Sequence, residues 1–310
     1  MQRKQVVDFA VYIALRLLVC VVQAARVETG ARVARGLAWV FCDGLKVRRK
    51  VVDDNLAHAY PELSPDERHG LARRMWEHLF LLVLEVAHTP RKIHETNWRR
   101  HVSLKDHDRM VRRLLSDRPT LIITAHYGNF EVAGYVLGLL GFPVWTVART
   151  LDNPYLDRFV SRFRSSRGAR IIPKVGGYDQ IEQVLGDGEP MAFLADQYAG
   201  EKGCFVEFFG RPASAHKAIA LLALQHNAPM VIANTRRRGE PMRFEIDVSA
   251  EIDPRTAESD AGSVRELTQW YTTRLEEAIR VDPGQYWWLH RRWKDLRKQQ
   301  RERRRRQRAA

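Results

Sequence analysis

Cysteine is scarce. Cys20, Cys42 and Cys204 are the three in 310 residues, and they stand at no metal-ligand spacing and form no disulfide framework. That excludes a paired-cysteine zinc site and a small cross-linked scaffold, and fits reduced thiols in a cytosol-facing protein. No Gly/Ser linker divides the chain and no internal repeat is present, so one large α/β unit with an N-terminal helical appendage is expected rather than tandem modules. Acidic residues are in deficit, 37 against 51 basic ones, for a net charge of +14. Much of that deficit is local. From Arg291 onwards the chain carries eleven basic and two acidic side chains. Such a run is usually a solvated extension whose partners are anionic: phospholipid headgroups, an acidic protein or nucleic acid. Nucleic acid is disfavoured, because the tail lacks interleaved aromatics and the body carries no recognised motif.

Long apolar runs are also few, and the clearest lies at the N-terminus. Phe9 to Ala25 is mostly apolar, preceded by Arg3 and Lys4 and interrupted by Arg16 and Gln23. An arginine at the centre of a span costs about 2.5–3.5 kcal/mol on insertion scales, less if it snorkels. The segment is therefore expected to be membrane-associated, spanning or interfacial, with a buried amphipathic helix or a signal peptide as the alternatives. Cleavage is disfavoured, since Gln23-Ala24-Ala25 is a weak processing site and the apolar register continues into Val33, Leu37 and Val40.

Hydrophobic periodicity and turn chemistry predict alternating helices and strands. Val6 to Val47 reads as one or two helices. Ser64 is an N-cap with Pro65 in the first position, opening a long helix over Glu67 to Thr89. Strands are expected at Leu121–Ala125, Val144–Ala148, Arg170–Ile172 and Pro190–Asp196, with Pro229–Thr235 and Arg243–Val248 as an antiparallel pair. Helices are expected at Phe130–Leu140, Asn153–Arg167, Tyr178–Leu185, Ser214–His226 and Val264–Val281. The fold class that follows is α/β: a mixed, mostly parallel central sheet flanked by helices, with the N-terminal helix at a membrane.

The chemistry concentrates at Thr120-Leu-Ile-Ile-Thr-Ala-His126-Tyr-Gly-Asn-Phe-Glu131. A strand ends in a histidine, turns through Gly128 and Asn129, and enters a helix whose first turn carries a carboxylate. The carboxyl end of a strand beside a helix N-terminus is where α/β proteins place reactive groups. Glu131 is expected to reach back to the imidazole of His126 and fix its tautomer, giving a general base for an alcohol nucleophile. No serine or cysteine stands next to the pair, so direct transfer is preferred over a covalent intermediate, with Cys204 as a minor alternative nucleophile. Asn129 either caps the helix or donates to the site. Asp196 ends a strand and either initiates a turn or positions Arg164 or substrate hydroxyls. Arg164 either stabilises an oxyanion, holds a phosphate, or lies on a solvated helix face. The Phe205–Gly210 stretch, with Phe208 and Phe209, either lines an apolar groove or forms a buried hairpin. A metal site using His126, Asp196 and His216 finds no tight ligand pair such as His-x3-His, so no metal and no cofactor are expected.

His126-Tyr-Gly-Asn-Phe-Glu131 resembles the His-x4-Asp/Glu block of membrane glycerolipid and lipid A acyltransferases. It is similar, more narrowly, to the His-x-Gly-Asn-Trp-Glu form of the late lipid A biosynthesis acyltransferases, with Phe130 replacing tryptophan. Asn153-Pro-Tyr-Leu-Asp157 continuing to Arg164 looks like that family's second block. Asp196-Gln197 and Phe205-Val-Glu-Phe-Phe-Gly-Arg-Pro-Ala213 look like the third, and Gln285-Tyr-Trp-Trp-Leu-His-Arg-Arg-Trp293 like its C-terminal signature. The resemblance runs from about residue 6 to about 295. It implies transfer of a fatty acyl group from a thioester, on acyl carrier protein or coenzyme A, to a hydroxyl of a glycolipid at the cytoplasmic face of the inner membrane. Within the family, phosphatidylinositol mannoside or another glycolipid is the alternative acceptor. His126 and Glu131 are the implied catalytic residues, with Asn129, Arg164, Asp196, Gln197, Phe208 and Phe209 as substrate contacts. The implied division is a membrane-associated helical segment over 1–48, an α/β acyltransferase domain over 49–295 and a basic tail over 296–310. Outside enzymology, the rival reading is an anionic-lipid-binding protein built on that tail.

Overall fold

A computed structural model describes residues 3–256 and 262–294; the basic tail at 296–310 lies outside the described residues. Four helices come first: α1 (Arg3–Ala24), α2 (Val27–Trp39) running into a π-helical turn (Val40–Gly44), α3 (Arg49–Ala59) and α4 (Pro65–Lys92). α4 starts where its sequence says it must. Ser64 accepts from the Glu67 backbone while Glu67 reaches back to the Ser64 backbone, a reciprocal cap that satisfies two donors with no helical partner.

The α/β part follows as β1 (Val102–Lys105), α5 (His107–Leu114), β2 (Leu121–Thr124), α6 (Phe130–Leu139), β3 (Trp145–Ala148), α7 (Pro154–Ser165), β4 (Arg170–Pro173), α8 (Tyr178–Gly186) and β5 (Met191–Leu194). It continues with the hairpin β6 (Cys204–Phe208) and β7 (Arg211–Ala215), then α9 (Lys217–Gln225), β8 (Met230–Arg237), β9 (Phe244–Ile252) and α10 (Val264–Val281). Seven strands form one sheet in the order β1-β9-β8-β2-β5-β3-β4. All neighbours are parallel except β8 and β9, so the sheet is mixed and mostly parallel.

Strand alternation divides the interior in two. Leu121 and Ile123 of β2 face the main core, which also holds Met75 of α4, Ile219 of α9 and Tyr271 of α10. Ile122 faces the other way, with Val144, Val231, Val248 and Met110. That second face is roofed by α5, α6 and α7, and it carries the site.

α1 has no buried residue, and Leu17 and Val21 are more than 60% exposed. Its mean hydropathy of 2.1 over an 18-residue window makes it long and apolar enough to cross a membrane. One side is nonetheless engaged. Phe9 and Tyr12 meet Tyr155 of α7, Gln23 donates to the Ala87 carbonyl at 2.7 Å, and Arg16 lies over the Phe159 ring at 5.3 Å. The arginine that would be costly in lipid thus turns to a protein face, where a ring quadrupole meets its charge.

Candidate active site

Parallel pairing builds the centre of the site. β2 and β5 lie side by side with Thr124 opposite Leu194. His126 and Asp196 each stand two residues past those strand ends, so the register alone sets them next to one another. The contact is made: Asp196 Oδ1 accepts from the His126 ring Nδ1 at 2.8 Å and from the His126 backbone at 3.1 Å. A proton held on Nδ1 leaves the Nε2 lone pair to the cavity. Gln197 Nε2 stands 3.4 Å from it, a long contact that an incoming hydroxyl can replace.

Behind this pair the aromatic C-terminal signature acts as a wall. Tyr286 is buried beside Asp196, and burial and that neighbouring carboxylate raise its pKa far above the usual phenol value. The Trp287 backbone donates to the His126 carbonyl at 3.1 Å, and its ring lies 4.9 Å from the imidazole. Asn55 of α3 holds the segment from outside by donating to the carbonyls of Trp288 and His290.

Burial works against an ionised His126, but the Asp196 charge and hydrogen bond outweigh it and the imidazole pKa is raised above 6.5. Burial likewise opposes ionisation of Asp196, yet the facing imidazole and backbone donors pull it down to about 2. Asp196 is therefore a carboxylate throughout the physiological range, and it stabilises the imidazolium whenever one forms.

Glu131 has a different partner from the one the sequence suggests. In the first turn of α6 it is engaged by Arg164 of α7, through Nε at 3.0 Å and through Nη2. It remains near enough to His126 to raise its pKa through space, with Arg164 opposing. The expectation that Glu131 orients the ring is thus corrected: the helix turns its carboxylate to the α7 arginine, and the strand neighbour takes Nδ1.

Two further expectations are corrected by burial. Asn129 is fully buried away from the cavity; its Oδ1 caps α6 by accepting from Val132, and its Nδ2 donates to Glu85 at 2.9 Å. Phe208 and Phe209 sit in the main core against Tyr60, Trp288 and Trp293. The Phe205–Gly210 stretch is the β6–β7 hairpin, its inward rings spent on packing. The Asn153 block is also structural: Asn153 caps α7 and donates to the Asp8 carbonyl of α1 at 2.8 Å. Cys204 lies on β6, off the cavity wall.

The turn between His126 and α6 is tight. Gly128 has φ +57°, and a Cβ there would stand 1.6 Å from the Thr235 carbonyl oxygen. Only glycine lets the loop run so close to β8, where Asn129 N donates to that same oxygen.

The cavity itself measures about 470 Å³, within the usual range for ligand sites. Its floor is the second sheet face: Ile122 and Thr124 of β2, Ala192 and Leu194 of β5, and Thr146 of β3. Its roof is Met110 and Leu114 of α5, Gly134 and Leu137 of α6, and Val160 and Phe163 of α7. His126, Glu131, Arg164 and Gln197 all open onto it. The chemistry available is a hydrogen-bonded base at one end of an apolar slot, with an ion pair on its wall. Sequence reasoning missed this slot because its lining is gathered from nine helices and strands spread from Leu104 to Val248.

The described residues hold one other cluster with ligand-type atoms, Cys42, Asp43 and His69. Its carboxylate is already taken by Arg73, at 2.9 and 3.1 Å, and by His69 at 2.7 Å.

The family described as bacterial lipid A biosynthesis acyltransferase matches residues 2–295. The lipid A biosynthesis lauroyltransferase of Escherichia coli is 25% identical over 272 residues, 85% of this chain and 84% of that one. The lipid A biosynthesis palmitoleoyltransferase of the same organism is 22% identical over 258 residues, covering 81% and 80%. The phosphatidylinositol mannoside acyltransferase of Mycolicibacterium smegmatis is 26% identical over 192 residues, 61% of each chain. Among solved structures, the 1-acyl-sn-glycerophosphate (LPA) acyltransferase of Thermotoga maritima aligns over 87% of this chain and 100% of its own, at 10% identity and a TM-score of 0.41.

Proposed function

Since the chain belongs to the bacterial lipid A biosynthesis acyltransferase family, we propose that it moves a fatty acyl group from an acyl thioester, with acyl carrier protein as the first donor to test and coenzyme A the second, to a hydroxyl of a glycolipid such as a lipid A precursor. The observation that carries this reading is the His126–Asp196 pair opening onto an apolar slot. The acyl chain lies in the slot with its thioester carbonyl beside His126. Nε2 takes the proton of the acceptor hydroxyl as its oxygen attacks that carbonyl carbon. The tetrahedral intermediate collapses with cleavage of the C–S bond, and the imidazolium returns the proton to the departing thiolate. Asp196 holds the ring and balances its transient charge; Glu131 fixes Arg164, whose guanidinium faces the developing oxyanion. No acyl-enzyme is needed.

α1 supports a reading in which the enzyme works at a membrane, with the cavity on the cytoplasmic side of the inner membrane. The direct test is mass spectrometry of glycolipids from cells lacking the protein. A species short by one acyl chain is expected, and it should be converted to the full species by purified enzyme supplied with the acyl thioester. Unchanged glycolipids in those cells would overturn the proposal. Phosphatidylinositol mannoside is the second candidate acceptor, favoured by the 26% identity to the mycobacterial enzyme; the same spectra distinguish it.

Gly134 makes a separate prediction. It lines the slot on α6, and a Cβ there would meet nothing within 4 Å. Gly134→Leu should fold, because leucine favours a helix over glycine by about 0.8–1 kcal/mol. Its four side-chain carbons would occupy the slot and displace about three to four methylenes of substrate, each worth roughly 0.8 kcal/mol. Competition between donors of different length should then show preference moving to chains shorter by about two to four carbons. An unchanged preference would mean that the chain lies elsewhere.

A further inference from the structure

We propose that Arg149 and Lys174 form a subsite for a phosphate group carried by one of the two substrates. The inference rests on reading the slot as an acyl-transfer site. Strand register places these two residues, as it places His126 and Asp196. β3 and β4 are parallel neighbours with Ala148 opposite Pro173. The next residue on each strand is a cation, so Arg149 and Lys174 leave the sheet side by side at its carboxyl edge, and Lys174 N donates to the Ala148 carbonyl at 2.9 Å. Two cations carried on adjacent strand ends, whose backbones lie about 4.7–4.9 Å apart, raise the local positive potential and favour an anion between them. Both residues line the mouth of the cavity.

Two carboxylates lie near the pair, Asp152 and Asp157; Asp157 of α7 lines the same cavity, with its Oδ1 accepting from the Leu151 backbone at 2.8 Å. Arg149 meets Asp152 at 3.3 Å, but both side chains are at least three-quarters exposed, and such a pair is weak in water. Lys174 forms no ion pair among the described residues. His216, at the start of α9, lines the same cavity near enough to Lys174 to feel its charge. Burial first, then Lys174 and Arg292, lower its pKa to about 4, so it is neutral and able to hydrogen-bond an anion's oxygens without adding charge. Arg164, the other cation on the wall, is bound to Glu131 and is not free for a phosphate. A planar guanidinium fork beside a mobile ammonium suits a tetrahedral oxyanion with several acceptor oxygens. Such a phosphate has two sources in this chemistry: a phosphorylated sugar headgroup on the acceptor, or the phosphopantetheine arm of the donor.

Steady-state kinetics of Lys174→Ala and of the Arg149→Ala/Lys174→Ala double variant separate them. With phosphate on both substrates, KM for one should rise about tenfold to hundredfold while kcat stays within about twofold, and Lys174→Arg should recover most of it. Repeating the assay with a dephosphorylated acceptor removes the difference between wild type and variant if the acceptor is the source. An acyl N-acetylcysteamine donor, which lacks the phosphate, removes it if the donor is the source. A loss that persists with both phosphate-free substrates, or no loss with either phosphorylated one, overturns the subsite. A readout independent of turnover is the broadening of the phosphorus resonance of inorganic phosphate by the protein at constant ionic strength. Broadening by wild type but not by the double variant, in a protein that transfers no acyl group, would sink the transfer reading and leave the subsite standing. Equal broadening by both would sink the subsite.

Discussion

His126→Ala and Asp196→Asn are each expected to lower acyl transfer by about 10²–10⁴-fold, the usual contribution of a positioned base. The first removes the base. The second keeps the shape but removes the negative charge that raises the imidazole pKa and fixes the proton on Nδ1. Their pH profiles should differ. In the wild type, the base is neutral only above its raised pKa, so activity rises with pH along a limb whose midpoint lies above 6.5 and is lost as pH falls through it. In Asp196→Asn, burial is left to push the imidazole pKa down, so the residual activity should show that limb at lower pH. Glu131→Gln gives the contrast. It frees Arg164 and should reduce kcat, while its effect on the limb should be the smaller of the two, since Glu131 acts on the ring through space alone. A larger displacement for Glu131→Gln than for Asp196→Asn would reverse the roles assigned to the two carboxylates.

The strands and helices that carry the site were legible because their signals are local. The run ending at Ala125, the Asn129 cap and the apolar stretch to Leu140 specify β2, the turn and α6 within twenty residues. α10 shows the same match, spanning Val264–Val281 in both readings. What was not legible is register across distance. The partner of His126 is set by β2 lying beside β5, seventy residues away, and no property of Asp196 alone announces that. His-x4-Glu suggested the nearer carboxylate, and proximity in sequence misled because Arg164, on a different helix, competes for it. β1 and α5 went unseen for another reason. β1 is an edge strand with one buried residue of four, and α5 buries only Met110, so neither shows the apolar period that marks an element. Yet α5 closes the slot. The phenylalanines of the β6–β7 hairpin looked like an acyl wall by composition, but composition does not distinguish a ring facing a cavity from one facing the core.

Glu85→Ala is expected to cost about 3–5 kcal/mol of stability, the usual penalty for stranding one member of a buried ion pair. Glu85 on α4 is fully buried and serves four donors: Arg237 Nε at 2.5 Å and Nη2 at 2.8 Å, Asn129 Nδ2 at 2.9 Å and Met242 N at 3.2 Å. Arg237 is 8% exposed, and its remaining nitrogen reaches His78 Nδ1 at 3.1 Å. Burial and the arginine hold that histidine's pKa well below the usual value, so it stays neutral and offers Arg237 a hydrogen bond but no compensating charge. The carboxylate therefore joins α4, the end of β8 and the cap of α6, and through Asn129 it anchors the turn that presents His126. Its loss should lower the melting temperature by roughly 6–20 °C in detergent, given about 2–4 °C per kcal/mol for larger domains. Transfer should fall as well, because the α6 N-terminus loses its support. A Glu85→Met/Arg237→Met double variant removes both charges and should be more stable than Glu85→Ala. If the double variant were the less stable, or Glu85→Ala melted with the wild type, the pair would not be what couples the helical layer to the loop bearing the base.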